Sequence, residues 1–383
     1  MTICRETTGC EDGTVEERDL KRAMIAMSGG VDSSVAALLM KRAGYDCMGV
    51  TMRLYRDPGM EQCSQKSCCS DADEEDAAYV CWQLGIPFEP LCCTREFEKA
   101  VIQDFIREYK AGRTPNPCIV CNRCLKFDLL LSLALEKGFD CLVTGHYARI
   151  TLDRDSGRWQ LRRALDGSKD QSYVLYMLSQ EQLGHLRFPL GELGKADTRA
   201  IAEKAGLVTA AKHESQDICF IPDGDYGAFL ERWTGRRDPE GEILDLEGRV
   251  IGRHRGAVRY TIGQRRGLGV AAEQPLYVVA KDMEKHTVTV GPESALYSRE
   301  LIASDFNWLS IPEPAHSIRV TARTRYHQSE NPAMVWALEG SRVRLDFDEP
   351  QRAITPGQAV VLYDGDLVLG GGQIENAGRE PAF

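Results

Sequence analysis

Hydrophobic positions in the first half of the chain follow two alternating patterns. Short apolar runs that read as buried strands, Met24-Ile25-Ala26-Met27, Asp46 to Met52, Pro87 to Leu91 and Cys141 to Thr144, are separated by stretches with helical spacing at Val31 to Arg42, Asp71 to Leu84, Phe97 to Lys110 and Lys126 to Lys137. Gly44 and Gly85 stand where two of these helices should stop. Regular alternation of strand and helix predicts a doubly wound parallel sheet with ligands at the carboxyl ends of its strands. The pattern changes after about Lys212. From Gly241 onward, β-branched runs at Val258 to Ile262, Leu276 to Ala280 and Thr287 to Val290 lie between glycine, proline and charged turns. A further set at Ile318 to Arg323, Met334 to Leu338, Val343 to Phe347 and Ala359 to Tyr363 predicts a small terminal barrel. The expected organisation is a polar tail over 1–20, an α/β domain over 21–214, a β-rich central domain over 215–302 and a C-terminal β-barrel over 303–383.

Composition narrows the class. The 383 residues are 43% hydrophobic, 27% charged and 8% aromatic, which supports several folded cores and excludes disorder, collagen and coiled coil. No window approaches the roughly eighteen uninterrupted apolar residues of a membrane span, and Glu6, Glu11, Asp12, Glu16 and Glu17 occupy the place of a leader's apolar stretch. The expectation is a cytoplasmic protein. Net charge is −10, the wrong sign for nonspecific coating of nucleic acid, although a local basic face can coexist with an acidic whole. Fourteen cysteines in a long chain without a leader read as reduced thiols for chemistry or metal, and none lies beyond Cys219.

Chemistry first shows at Ser28-Gly29-Gly30-Val31-Asp32-Ser33-Ser34. This turn joins a strand to a helix, where backbone N–H groups and the helix dipole hold an anion and hydroxyls add donors. The G-x-G-x-x-G and G-x-x-x-x-G-K-[ST] patterns are absent at this position, which argues against a dinucleotide oxidoreductase and a P-loop kinase. The loop resembles that of the ATP pyrophosphatases, which cleave ATP between the α and β phosphates and adenylate an oxygen of the substrate. That resemblance implies nucleotide contacts for Ala26, Met27, Ser28, Gly29, Gly30, Val31, Asp32 and Ser33, with Asp32 near magnesium and pyrophosphate. Met52 either packs near adenine or is core methionine. Gly145, in Thr144-Gly145-His146-Tyr147, permits close approach of the nucleotide at the same sheet edge.

The thiols form a second constellation. Thr114-Pro115-Asn116-Pro117-Cys118-Ile119-Val120-Cys121 reads as a proline-stiffened loop that presents Cys118 and Cys121. Cys219, where the α/β pattern stops, is the far partner. Alternatives are a redox pair of thioredoxin type and a zinc site of Cys118, Cys121, Cys124 and Cys219. Most of Cys63, Cys68, Cys69, Cys81, Cys92 and Cys93 read as small buried hydrophobes, and Cys4 and Cys10 as incidental.

Taken in order, the glycine loop, Asn116-Pro117-Cys118-x-x-Cys121-Asn122, Thr144 to Arg149, Lys169-Asp170-Gln171-Ser172-Tyr173 and Ser215-Gln216-Asp217-Ile218-Cys219-Phe220 resemble the tRNA-specific 2-thiouridylases. Arg253-His254-x-Gly256, Tyr260 to Arg265, Arg325-Tyr326 and Pro350 to Gln358 extend the likeness over roughly 22–375. The resemblance implies an ATP-pyrophosphatase domain and ATP-dependent replacement of the C2 oxygen of the wobble uridine by sulfur in tRNAs for Lys, Glu and Gln. Sulfur would come from a cysteine desulfurase or a relay protein as a persulfide on Cys219. Cys121 would be the second catalytic thiol, freeing sulfide or closing a disulfide with Cys219. Asn116, Pro117 and Cys118 would face the target base; His146, Lys169, Asp170, Gln171, Arg325, Tyr326 and Gln358 would contact the tRNA anticodon stem-loop. Many members carry aspartate where this chain has Cys118. With Cys121 and Cys219 it supplies three thiolates, the number that leaves one iron of a [4Fe–4S] cluster open to sulfide.

Local basic charge fits such a partner. Arg249, Arg253, Arg255, Arg259, Arg265 and Arg266, with His254, lie in a stretch without a carboxylate. Arg319, Arg323, Arg325, Tyr326 and His327 form a second basic and aromatic group suited to unpaired bases. The rival readings are an ATP pyrophosphatase acting on a small molecule and a zinc-stabilised RNA-binding module.

Overall fold

A computed structural model describes residues 21–55, 71–212 and 218–378. The readings for the tail over 1–20, for Cys63, Cys68 and Cys69 and for Ser215 to Asp217 lie outside the described residues. The first sheet is built from β1 (Arg22–Ala26), β2 (Asp46–Arg53), β3 (Phe88–Cys92) and β4 (Cys141–Val143), with α1 (Val31–Arg42) and α2 (Asp71–Leu84) between the early strands. A helical run follows β3: α3 (Thr94–Phe97), a π-helical turn over Glu98–Ile102 and α4 (Gln103–Lys110). A second run comprises α5 (Pro117–Cys121), a longer π-helical segment over Asn122–Leu130 and α6 (Leu131–Glu136). The hairpin β5 (Ala148–Leu152) and β6 (Trp159–Arg163) then leads to α7 (Gln180–His185), β7 (Leu186–Arg187) and α8 (Lys195–Lys204).

Strand order in this sheet is β3-β2-β1-β4-β7, and every pairing is parallel. The chain leaves β1 toward β2 on one side and returns to β4 on the other, so the crevice of a doubly wound sheet opens between the carboxyl ends of β1 and β4. Apolar side chains cover both faces. Val35, Leu38, Val80, Leu84 and Leu190 pack on one; Phe97, Phe105, Phe127, Leu142 and Tyr173 pack on the other.

After α9 (Tyr226–Thr234), β8 (Gly241–Leu244), β9 (Val250–His254), β10 (Tyr277–Asp282) and β11 (Thr287–Gly291) make a four-stranded sheet of order β10-β11-β8-β9. The expected strand at Val258 to Ile262 is instead a short 3-10 turn over Ala257–Arg259 followed by irregular chain. Positive φ at Gly256 and Gly263 bends the backbone at both ends, so β-branched content alone cannot extend it. The last strands are β12 (Tyr297–Trp308), β13 (Ile318–Arg323), β14 (Asn331–Leu338), β15 (Arg342–Arg352), β16 (Ala359–Asp364) and β17 (Leu367–Asn376). Antiparallel pairing runs β12-β15-β14-β13-β16-β17 and closes through β12 and β17 into a six-stranded barrel.

The sequence reading did not anticipate where the hairpin β5–β6 pairs. It joins the barrel, with Leu367 paired to Arg162, and Asp366 accepts from Arg149 and Arg162 at 2.7 Å each. The eight-stranded sheet therefore joins the first domain to the terminal barrel.

Barrel closure depends on Gly370-Gly371-Gly372. A Cβ at Gly371 would fall 2.6 Å from the Tyr176 ring and 2.8 Å from the Val360 carbonyl, so β17 lies against its neighbours more closely than any side chain permits. Gly371→Ala should cost about 1–3 kcal/mol by overpacking. Thermal unfolding would show it as a lowered Tm; an unchanged Tm would mean that the seam yields.

Candidate active site

A cavity of about 310 Å³ opens at the β1/β4 crevice. Ala26, Met27, Ser28, Asp32 and Ser33 line one wall, Thr51 and Met52 a second, and Thr144, Gly145 and His146 a third. Its far side holds Pro117, Cys118, Cys121, Asn122, Lys126, Ile218 and Cys219. Nucleotide-loop residues and thiols expected from separate segments thus meet in one space.

The loop geometry follows from its residue types. Gly29 sits at φ +67, and a Cβ there would lie 2.2 Å from the Asp73 carbonyl oxygen, so only glycine fits. Gly30 is the N-cap of α1 and Val31 its first, buried residue. The Ser33 and Ser34 hydroxyls donate to the Gly30 carbonyl at 3.1 and 2.9 Å, and the Ser28 backbone N–H donates to Ser33 Oγ at 3.1 Å. These bonds hold the turn with the positive end of α1 aimed at the cavity. Across the crevice a Cβ on Gly145 would come 2.8 Å from the Ser33 nitrogen, so this glycine lets β4 and the loop close up.

Asp32 has partners that the sequence reading missed. Lys195 Nζ donates to its two carboxylate oxygens at 2.7 and 2.9 Å, and the Tyr147 hydroxyl donates at 2.8 Å. Lys195 is the first residue of α8 and looked like an ordinary helix start. Among the described residues Asp32 is the sole carboxylate lining this cavity.

The thiol segment corrects the expected loop. Pro117 occupies the first helical position, where its missing N–H costs nothing and its fixed φ suits the helix, and the Asn116 side chain caps it by accepting from the Cys118 N–H at 3.2 Å. Cys118 is exposed and Cys121 half-buried on the helix so formed. In an α-helix Lys126, five residues beyond Cys121, would point about 140° away. The π-helical segment closes i→i+5 turns and brings positions five apart onto one face, so Lys126 also lines the cavity. The Asn122 side chain donates to the Val174 carbonyl at 3.0 Å and fixes the segment.

His146 is buried. Its Nδ1 lies 2.6 Å from Thr144 Oγ1, and its ring packs 5.7 Å from those of Phe127 and Phe188. Burial, and secondarily the Lys126 ammonium, push its pKa well below the ordinary histidine range, so it is a neutral part of the wall. Gln171 shares that wall and accepts from the Tyr147 N–H at 2.9 Å. Asp170 is buried and accepts from the Ala164 and Ser172 N–H groups, the Ser172 hydroxyl and Arg163, which makes it the organiser of its own turn. Lys169 is half-exposed on that turn.

Arg325, Tyr326 and Gln358 line a second cavity of about 490 Å³, with Thr114, Thr261 and His327. Arg325 Nη2 donates to the Ala353 carbonyl at 2.7 Å, to Thr355 Oγ1 at 2.9 Å and to the Ile262 carbonyl at 3.4 Å, which ties the central sheet's loops to the barrel. Burial, then nearby Asp170 and Cys118, push the Tyr326 phenol pKa up; Thr114, which leads into the thiol segment, lines the same cavity.

Part of the basic charge is paired internally. Arg249 pairs with Asp245 and Glu247, Arg259 with Asp225 and Glu231, Arg319 with Asp348, and Arg323 with Glu330. Arg253, Arg255, Arg265 and Arg266 are exposed and have no ion pair among the described residues. No three Cys, His, Asp or Glu side chains among the described residues converge to hold a metal ion. Cys118, Cys121 and Cys219 all line the one cavity.

Comparison with known proteins places these features. A family model described as a tRNA methyl transferase HUP domain matches residues 21–223, a tRNA methyl transferase PRC-barrel domain 227–292, and an aminomethyltransferase beta-barrel domain 298–374. The chain is 47% identical over 356 residues to the tRNA-specific 2-thiouridylase MnmA of Acetivibrio thermocellus, covering 93% of this chain and 99% of that one. It is 49% identical to the protein of the same name from Moorella thermoacetica, covering 93% and 100%, and 48% identical to that of Geotalea uraniireducens, covering 95% and 97%. With a nucleotide loop, two distant thiols in its cavity and relatives of this identity along nearly its whole length, the chain belongs to the tRNA-specific 2-thiouridylase family.

Proposed function

We propose that the protein is an ATP-dependent tRNA sulfurtransferase that converts the wobble uridine of tRNAs for Lys, Glu and Gln to 2-thiouridine. The observation that carries this reading is one cavity lined by both the phosphate loop and the thiols of Cys121 and Cys219. Activation and sulfur delivery need those two groups within reach of one atom.

ATP would lie with its phosphates on the α1 N-terminus and the Ser28 and Ser33 hydroxyls, its base against Ala26, Met27 and Met52, and its backbone close to Gly145. Lys195 would face the leaving pyrophosphate from Asp32. A magnesium ion arriving with the phosphates needs one carboxylate, which Asp32 offers, and it would supply charge neutralisation. Asn116, Pro117 and Cys118 would border the flipped base, whose C2 oxygen attacks the α-phosphorus as pyrophosphate leaves. A persulfide on Cys219, made from a cysteine desulfurase or relay protein, then attacks C2 through its terminal sulfur. The Cys121 thiolate attacks Cys219 Sγ, the S–S bond breaks toward the transferred sulfur, and AMP departs from C2. A Cys121–Cys219 disulfide remains for an external thiol to reduce. Lys126 lines the same cavity as Cys121 and would add positive charge on the thiol side.

RNA would be held by the exposed Arg253, Arg255, Arg265 and Arg266, and by the cavity lined by Arg325, Tyr326 and Gln358 beside the thiols. His146, Asp170 and Gln171 would act mainly by shaping the wall and the turn they belong to.

The test is tRNA-dependent AMP release and 2-thiouridine content with ATP, magnesium, cysteine and a cysteine desulfurase. Wild type should do both, while Cys219→Ser should lose thiolation by about 10³-fold or more and keep nucleotide binding; absence of tRNA-dependent AMP in the wild type would overturn the reading. Lys195→Met should lower AMP release about a hundredfold, with Lys195→Arg retaining part of it, in the same assay. A third expectation concerns pH. Above about pH 6.5 His146 is neutral in both folded and unfolded chains; as pH falls through that value the unfolded chain takes up a proton that the folded one refuses, and stability declines. His146→Phe should therefore lose less stability than wild type on going from about pH 7 to about pH 5, as measured by urea unfolding.

A further inference from the structure

The segment that carries the thiols is tied at its base to the barrel. The Thr114 N–H donates to the Pro356 carbonyl at 2.9 Å, and the Gln358 side-chain amide donates back to the Thr114 carbonyl at 2.8 Å. Between these two bonds sits Gly357 at φ +89, where a Cβ would lie 2.8 Å from the Thr114 nitrogen and 2.9 Å from Arg113 Cβ. The strap therefore requires glycine as well as the amide. It is braced from behind: Gln373 donates to the Glu108 carboxylate at 3.2 Å, and that buried carboxylate accepts two bonds from Arg113.

Three residues separate Thr114 from Cys118, and two of them are prolines. With their φ angles fixed, fewer torsions are left to absorb a displacement at Thr114 before it reaches the Asn116 cap and the thiol helix. Thr114 and Gln358 both line the cavity that holds Arg325 and Tyr326, and the Thr114 hydroxyl is buried there without a partner. A strap whose amide belongs to a residue of the cavity wall, beside a buried hydroxyl left without a partner, is a contact that another hydrogen-bonding chain can replace.

We propose that Gln358 is a positioning residue for the thiols: through Thr114 it fixes the helix that bears Cys118 and Cys121, and an RNA strand entering the second cavity competes for its amide and so resets thiol exposure. The RNA half rests on the function proposed above; the positioning half does not.

The experiment measures alkylation rates of individual cysteines in the full chain by peptide mass spectrometry, without ATP or sulfur donor. In the absence of tRNA, Gln358→Leu and Gly357→Ala should each change the rate at Cys118 and Cys121 by about three- to tenfold, the equivalent of one lost hydrogen bond. Cys81 and Cys141, buried against the sheet, serve as internal standards and should stay unreactive. Addition of the substrate tRNA should shift wild-type rates in the direction of the variants and leave the variants nearly unmoved. Wild-type rates at Cys118 and Cys121 in both variants would overturn the positioning role, and a raised KM for tRNA alone would then mark Gln358 as an RNA contact only. Parallel exposure of Cys81 and Cys141 would show general loosening and overturn it equally. Wild-type rates indifferent to tRNA would overturn the competition. Failure of the proposed reaction would leave the tRNA-free comparison intact.

Discussion

The close approach of two backbones at the β1/β4 crevice is the constraint on which the site depends. Gly145 lies against the first turn of α1, and Gly29 lies against the Asp73 carbonyl, so neither the loop nor the strand can move away without losing the other's support. The anion site at the N-terminus of α1 is therefore a by-product of how the parallel sheet closes. The turn is already formed without a ligand, as preorganised charge stabilisation requires. Everything reactive is then brought to this fixed point: thiols from the helix after Thr114, a third thiol from Cys219, and Lys195 from α8.

The side chains divide by how far their partners lie in sequence. The phosphate loop was legible because its glycines, aspartate and serines act locally, through turn geometry and a helix end. Lys195 was not, because its partner Asp32 is 163 residues away and nothing near Lys195 marks it. The thiol segment was half legible. Its residues stand out, but two prolines signal a loop where one of them opens a helix capped by Asn116, a difference of a single position in the local code. Lys126 stayed hidden for another reason: α-helical periodicity sends it away from Cys121, and only the wider π turn returns it.

The residues expected to touch RNA illustrate a related limit. Asp170, Arg325 and His146 are polar or basic residues in recognisable motifs, yet each carries internal hydrogen bonds that fix a turn, a loop or a wall. The motif identifies a place in the fold; burial decides whether the side chain reaches a ligand itself or holds the one that does. Strand positions in the barrel were legible from alternation, while the Val258 to Ile262 run was not, because glycine dihedrals at its ends overrode propensity.

The hairpin β5–β6 has a consequence for how the chain is made. Its barrel partner Asp366 is 204 residues beyond Arg162, so during synthesis the first domain emerges with the outer edge of β6 unpaired for as long as the central and terminal modules take to follow. An exposed strand edge of that kind invites pairing with a neighbouring chain. Arg149 and Arg162 on this hairpin meet Asp366 only once the barrel is complete, whereas Arg163 already has Asp170 beside it in the first domain. Until then the first two are uncompensated positive charges on an open edge, and two such edges repel. The same two arginines serve as a guard on the nascent chain and a latch on the finished one.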